Sequence, residues 1–286
     1  NGAQYDDVYE GAANVSYKWK PKDSTETNFS KLPNAGSNVL EYEEGIYMGY
    51  KYYETMAAEI KGGSVDLTDA ATKAALESAD LNGAYKAYTD ADDWYNRNVV
   101  YPFGYGLSYT TFEQTLDSVT IADDKKTATV TVTVKNTGDV AGKSVVEVYA
   151  SVPYTDYDRQ NGVEKAAVQL MDFEKTSTLQ PGASQTITMK VDLANLASYD
   201  ANGAKTYIVD PGDYYFAIGT DAHDALNNVL AAQGKTVADG MTADGNAAKT
   251  YKWTWTGDVD KTTFAVSKNG TAITNQLTEG DYAMDY

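Results

Sequence analysis

The ten residues Thr127–Asn136, Thr-Ala-Thr-Val-Thr-Val-Thr-Val-Lys-Asn, constrain the fold more than any other stretch of the chain. Val130, Val132 and Val134 fall on one face, and Thr129, Thr131, Thr133 and Lys135 on the other. Successive side chains of a strand point to opposite sides of a sheet, so the run predicts a half-buried strand. The rhythm recurs over Ser144–Ser151, Val168–Thr176, Ser184–Asp192, Ala204–Val209 and Tyr214–Gly219. Turn signals separate the runs. In Leu179-Gln-Pro-Gly-Ala183, Pro181 fixes its own φ and Gly182 can take a positive one. Thr137–Gly142 and Asp210-Pro-Gly-Asp213 do similar work. About seven short strands with such connections make an antiparallel, immunoglobulin-like β-sandwich. Each buried Val, Ile or Leu contributes roughly 1.5–3 kcal/mol, enough to fold without a disulfide.

Ahead of this rhythm stands Tyr101-Pro-Phe-Gly-Tyr-Gly-Leu-Ser-Tyr109. Its two glycines let the backbone turn between rings, and Tyr101, Phe103, Tyr105 and Tyr109 are expected to be buried in a packed domain junction. Residues 1–38 are polar, with Tyr5, Tyr9, Tyr17, Trp19 and Phe29 as isolated anchors, and are expected to lie as an arm against another body. Ile46, Met48, Tyr50 and Tyr52 alternate with Tyr47, Gly49, Lys51 and Tyr53, which predicts a strand. Residues 64–96 have helical composition, with a start signal at Leu67-Thr-Asp69, a stop at Asn82-Gly83 and a second short piece over Ala84–Tyr88. From residue 223 the rhythm is lost. Ala225–Ala232 suits one or two helical turns, and Trp253, Trp255 and Phe264 read as anchors of an irregular connector onto another domain.

The length of 286 residues suits about two domains. Lys and Arg number 23 against 41 Asp and Glu, a formal charge of -18, which disfavours nucleic-acid and anionic-membrane partners. No run approaches the roughly 20 apolar residues that span a bilayer. With no Cys there is no disulfide, thiol nucleophile or zinc–thiolate site, and the lone His223 removes most metal and triad chemistry, so no cofactor is expected. Cytoplasmic and secreted settings both fit.

Several residues invite a chemical reading. Glu41, Glu43 and Glu44 are closely spaced carboxylates, but acidic residues before a strand more often form a solvated approach. Asp90, Asp92 and Asp93 resemble half a calcium loop without its glycine and closing glutamate. Trp94 and Tyr95 could stack on a sugar, with burial at a junction the stronger reading. Asn14, Asn28 and Asn269 head glycosylation triplets of a kind common by chance. The polar, Tyr-bearing loop Tyr154–Gly162 could reach an active-site rim or a second subunit, although a solvated sandwich loop weighs more.

Three runs in order carry a family resemblance: Glu44–Glu54, Tyr101–Phe112 and Val134–Lys143. With Leu170–Lys175, Leu179–Gly182 and Asp210–Tyr214 they resemble the C-terminal half of glycoside hydrolase family 3 over roughly residues 40–222. The resemblance implies an enzyme with a (β/α) barrel, an α/β sandwich domain and a fibronectin type III-like domain, removing β-linked glucose or xylose from short oligosaccharides with retention. Retention needs two carboxyl groups about 5–5.5 Å apart. The resemblance places the nucleophilic Asp in the barrel and the acid Glu in the sandwich domain, in motifs this chain does not show. Glu41, Glu43, Glu44 and Glu54 lie in the wrong motif for the acid, so no catalytic, substrate-binding or metal residue is assigned. Residues 1–110 are then an arm and the C-terminal portion of the α/β sandwich domain. Residues 111–222 are the fibronectin-like domain, and 223–286 a connector toward a barrel placed downstream. The expected partners are the other domains of the enzyme and its oligosaccharide substrate, with a second copy of the chain as a further candidate. The competing reading is a carbohydrate-binding or adhesion module, which should show coplanar exposed rings on a sheet face.

Overall fold

The computed structural model describes residues 18–21, 45–78, 86–237, 245–274 and 282–285. In chain order its first elements are β1 (Lys18–Pro21), α1 (Tyr50–Gly62), α2 (Ala70–Ser78), α3 (Ala91–Asn98), β2 (Phe112–Ile121), β3 (Thr127–Asn136) and β4 (Val145–Ser151). Next come α4 (Asp156–Asn161), β5 (Gln169–Lys175), β6 (Ser184–Asp192), β7 (Ser198–Asp200) and β8 (Thr206–Ile208). The last are β9 (Gly212–Gly219), α5 (Ala222–Ala232), β10 (Thr250–Trp255) and β11 (Tyr282–Asp285). The chain forms two compact units. One comprises Asn1–Gly45, Leu67–Ala87 and Thr274–Tyr286; the other comprises Ile46–Asp66 and Tyr88–Ile273. In the first, β1 pairs antiparallel with β11, and the Asp69 carboxylate accepts the Thr72 amide at 2.9 Å to start α2 where the sequence signals it. The expected arm and the Asn82-Gly83 stop otherwise fall outside the described residues.

The second unit is built on a sandwich of two antiparallel sheets, β10-β9-β4-β5 and β2-β3-β6. The alternating run forms β3 at the centre of its sheet, with Val132 opposite Leu116 on one side and Ile187 on the other. Val130, Val132 and Val134 are fully buried and meet Val146, Val148, Phe216 and Ile218 in one core. The opposite face carries Thr115, Thr133 and Thr186 in register. A bulge in β2 between Leu116 and Ser118 turns Asp117 to accept the Thr133 hydroxyl at 2.6 Å. The Pro-Gly turn ahead of β6 is closed by a bond from the Ala183 amide to the Gln180 carbonyl. Gly182 sits there at φ 78°, as the spacing requires.

Four expectations are corrected. Residues 46–53 are not a strand: Tyr50 opens helix α1, and Ile46 and Met48 are exposed. Ile46, Met48, Tyr50 and Tyr52 imitate a period of two, whereas the helix formers Met56-Ala-Ala-Glu-Ile-Lys61 lie further on and decide the outcome. The second helical piece lies over α3 and not over Ala84–Tyr88, because Asp90 caps it by accepting the Asp93 amide at 2.8 Å. The tail is not irregular throughout. Asp221 caps an eleven-residue α5, and β10 adds to the edge of β9 with Trp253 opposite Tyr214. Trp255 therefore lies in the sandwich core, with Trp253 and Phe264 packed beside it, and none of the three waits for another body. Finally, the rings of Tyr101, Phe103, Tyr105 and Tyr109 are exposed among the described residues, because the segment runs over the surface of the sandwich with its side chains outward.

Candidate functional site

Two clusters of buried charge lie in the sandwich-bearing unit, and both are made by residues far apart in sequence. In the first, α1 carries Glu54, which is 1% exposed. Tyr95 of α3 donates its hydroxyl to Glu54 Oε1 at 2.5 Å. His223 of α5 lies with Nδ1 2.7 Å from Glu54 Oε2, and its ring stacks on Tyr95 at 3.9 Å between centroids. Both carboxylate oxygens are thus committed. Burial first, then the Glu54 charge, pushes the Tyr95 phenol far above its ordinary value, so it stays a donor at neutral pH. Burial also raises the Asp221 carboxyl beside this cluster.

Helix α1 and the residues just ahead of it are fastened to β5 and the loop that leads into it. Thr55 Oγ1 accepts the Ala167 amide at 2.9 Å, and the Tyr50 hydroxyl accepts the Leu170 amide at 2.8 Å. Tyr47 donates to the Lys165 carbonyl at 3.3 Å. Lys61 pairs with Asp92 at 2.6 Å, which ties α1 to α3.

The second cluster sits under the loop Tyr154–Gly162, which folds into α4. Thr155 and Asp158 form a capping box, and Asp158 is buried beneath it. Lys165 Nζ donates to Asp158 Oδ2 at 2.9 Å, to the Pro153 carbonyl at 3.0 Å and to Asp210 Oδ2. Burial raises the Asp210 carboxyl while the Lys165 ammonium pulls it back. The Asp210 carbonyl accepts the Tyr214 hydroxyl at 2.8 Å. Tyr157 from the same loop donates to Asp200 at 2.6 Å, so the loop is pinned to the β7–β8 hairpin.

Neither cluster is arranged for hydrolysis. A retaining glycosidase sets two carboxyl groups about 5–5.5 Å apart across a cleft that admits a sugar. Here Asp158 and Asp210 converge on one ammonium in the interior, and Glu54 is closed in by a phenol and an imidazole. Both clusters fasten elements together.

The other sequence candidates resolve similarly. Asp90, Asp92 and Asp93 serve α3: Asp90 caps it, Asp92 meets Lys61, and Asp93 accepts the Thr89 amide at 3.0 Å. Among the described residues no group of three or more His, Cys, Asp or Glu could hold a metal ion. Trp94 and Tyr95 are buried within the sandwich-bearing unit, which leaves neither ring open to a sugar. Asn269 is exposed in a turn, while Asn14, Asn28, Glu41, Glu43 and Glu44 lie outside the described residues. Sequence reasoning missed the pairing of Glu54 with His223. The one signal for it is that this is the chain's lone histidine, next but one to the Asp221 cap of an apolar helix.

Residues 144–222 match a fibronectin type III-like domain. The chain is 35% identical over 191 residues to a β-glucosidase of Ruminococcus albus, covering 64% of this chain and 15% of that protein. It is 30% identical over 223 residues to a β-glucosidase of Kluyveromyces marxianus, covering 78% of this chain and 20% of the relative. Among solved structures, the GH3 β-glucosidase of Bifidobacterium adolescentis aligns at 27% identity with a TM-score of 0.44, covering 67% of this chain and 21% of that one. The chain thus spans about a fifth or less of the length of the two curated relatives. It belongs to glycoside hydrolase family 3, as the portion that carries the fibronectin type III-like domain.

Proposed function

We propose that the chain is the non-catalytic brace of a retaining β-glycosidase of the β-glucosidase type, an enzyme that releases terminal β-linked glucose or xylose from oligosaccharides. The observation that carries this reading is the Glu54–Tyr95–His223 cluster, which ties the helices preceding the sandwich to α5 on the sandwich itself. A segment held by buried charge and stacked rings transmits position, and both oxygens of the Glu54 carboxylate are committed to it. The catalytic Asp and Glu are placed outside this chain. Residues 1–110 are read as an arm and the last part of an α/β sandwich domain, and 111–222 as the fibronectin-like domain. Residues 223–286 lend β10 to the sandwich and lead toward a barrel placed beyond residue 286. A complete reading frame with the barrel wholly ahead of Asn1 overturns that order.

The purified 286-residue chain should release no nitrophenol from an aryl β-glucoside. It should also migrate unretarded through a polysaccharide affinity gel. Turnover above blank would place a catalytic pair within the chain, and retardation would favour the carbohydrate-binding reading. Against that second reading stands the open face of the β2-β3-β6 sheet, where Thr115, Thr133 and Thr186 occupy positions that a sugar platform would give to rings.

A further inference from the structure

The segment between α3 and β2 combines a fixed backbone with outward apolar side chains. Val100, Tyr101, Phe103, Tyr105, Leu107 and Tyr109 are all exposed, Leu107 at 89% and Tyr109 at 100%. Residues 99–112 contain no charged side chain in a protein that is 22% charged. Soluble monomers seldom display so continuous an apolar strip, and where they do it marks an interaction surface. The strip is also held in place. The Ala222 amide donates to the Phe103 carbonyl at 2.8 Å, and the Phe103 ring stacks on Tyr50 at 4.4 Å. Gly104, at φ 90°, lies so close to Glu147 that a Cβ there would fall 2.2 Å from its carboxylate. From Gly104 to Ser108 the strip borders a groove of about 650 Å³ whose lining is mixed, with Phe112, Val145 and Ile218 beside the charged Glu113, Glu147 and Lys175.

We infer that this strip is the seat of another domain of the same polypeptide, one that presents an apolar protein surface to it. The inference rests on the bracing role proposed above and names the surface through which it acts. Two observations select this occupant. The relatives are five or more times longer than the part this chain matches, so polypeptides of this kind carry further domains to be seated. The aliphatic Val100 and Leu107 offer nothing to a sugar, and the Tyr101 and Tyr105 rings, stacked on each other at 5.4 Å between centroids, each give up one of their two faces to the other. A preformed backbone lowers the ordering cost of such an interface.

Hydroxyl-radical footprinting of the full-length enzyme and of the isolated chain tests it. Tyr101, Leu107 and Tyr109 should be modified about tenfold more slowly in the full-length enzyme than in the dilute isolated chain, as expected for burial in an interface core. Equal rates overturn the proposal while leaving the bracing role to another surface. Protection in the isolated chain that grows with concentration assigns the strip to a second copy, and overturns it too. Protection of the isolated chain by added cellohexaose makes the strip a sugar platform and removes both readings together. As a second arm, Leu107→Asp should leave the melting of the isolated chain unchanged and lower that of the full-length enzyme. Unchanged melting in both contexts would count against the proposal.

Discussion

At the scale of single residues, the buried cluster of one ammonium and two carboxylates makes the sharpest demand on the chain. Lys165 is the only cation described within reach of Asp158 and Asp210 in their interior site. Lys165→Met keeps the volume and removes the charge, leaving two carboxylates buried without their partner. Breaking a buried ion pair in this way costs about 3–5 kcal/mol, to be measured by urea unfolding at pH 7. The loss should depend on pH in a definite direction. Asp210 is already raised by burial, with Lys165 pulling down, so loss of the lysine raises it further. A carboxyl whose folded pKa exceeds its unfolded one stabilises the fold when protonated; that gain is full below the unfolded value of about 3.9 and is lost as pH rises through the folded value. The gap between Lys165→Met and the parent should therefore narrow between pH 7 and pH 5, and a constant gap would show that Asp210 does not carry the cost. Phe103 demands less. The residue is 45% exposed and its ring rests on Tyr50, so Phe103→Ala in this chain should cost the stacking increment of about 0.5–1.5 kcal/mol plus the transfer of its half-buried surface, less than the roughly 3–5 kcal/mol of a core phenylalanine. A loss of 3 kcal/mol or more would mean that the ring is buried after all.

At the scale of elements, β10 shows how the sandwich is completed from outside its most regular stretch. The strand pairs with β9 from Thr250↔Ala217 to Trp255↔Gly212, and it delivers Trp255 to the core at 6% exposure. Lys125 of the β2–β3 turn lies over the same indole at 4.5 Å, so Trp255 also links the two sheets. Trp255→Ala should cost about 3–5 kcal/mol by chemical denaturation, as large-to-small changes in cores do. A chain ended at residue 222 should be destabilised at least as much. Little change in either would make β10 an ornament on the edge. The strands with strict alternation, β3 and β6, could be read to the residue because their period and the turns bounding them agree. β10 could not, since Thr-Tyr-Lys-Trp-Thr-Trp carries rings but no partner visible in sequence, and its pairing is a matter of edge β9 lying open. Helix α1 was obscured for the opposite reason: Ile46, Met48, Tyr50 and Tyr52 fall at every second position into its start, and only the later Met56–Lys61 run reveals the helical preference. The buried clusters were legible least of all. Glu54 and His223 are 169 residues apart, and apart from the lone histidine's place beside the Asp221 cap nothing local distinguishes a tie from a solvated side chain.

At the scale of the whole molecule, what matters is whether the sandwich and the helices ahead of it behave as one body. α1 belongs to the same compact unit as the sandwich, although the α2 segment that follows it does not. The bonds that hold α1 there reach α3 through Tyr95, α5 through His223, the loop before β5 through Thr55 and β5 itself through Tyr50. Each hydrogen bond contributes only about 0.5–1.5 kcal/mol net, but an unpaired buried carboxylate costs more, so the cluster is stable together and poor in parts. The amides of α1 should then exchange with deuterium in the same slow class as those of β3, opening only with the unit as a whole. Glu54→Ala should change this selectively. It removes the acceptor shared by Tyr95 and His223, so α1 exchange should quicken by one to two orders of magnitude, on the order of 1.4–2.7 kcal/mol, while β3 keeps its protection. Glu54→Gln, which retains an acceptor for Tyr95, should fall between the two. If α1 already exchanges freely in the parent chain, the helix is a loose appendage. A brace built on it could not then transmit position from the sandwich to any domain seated beyond it.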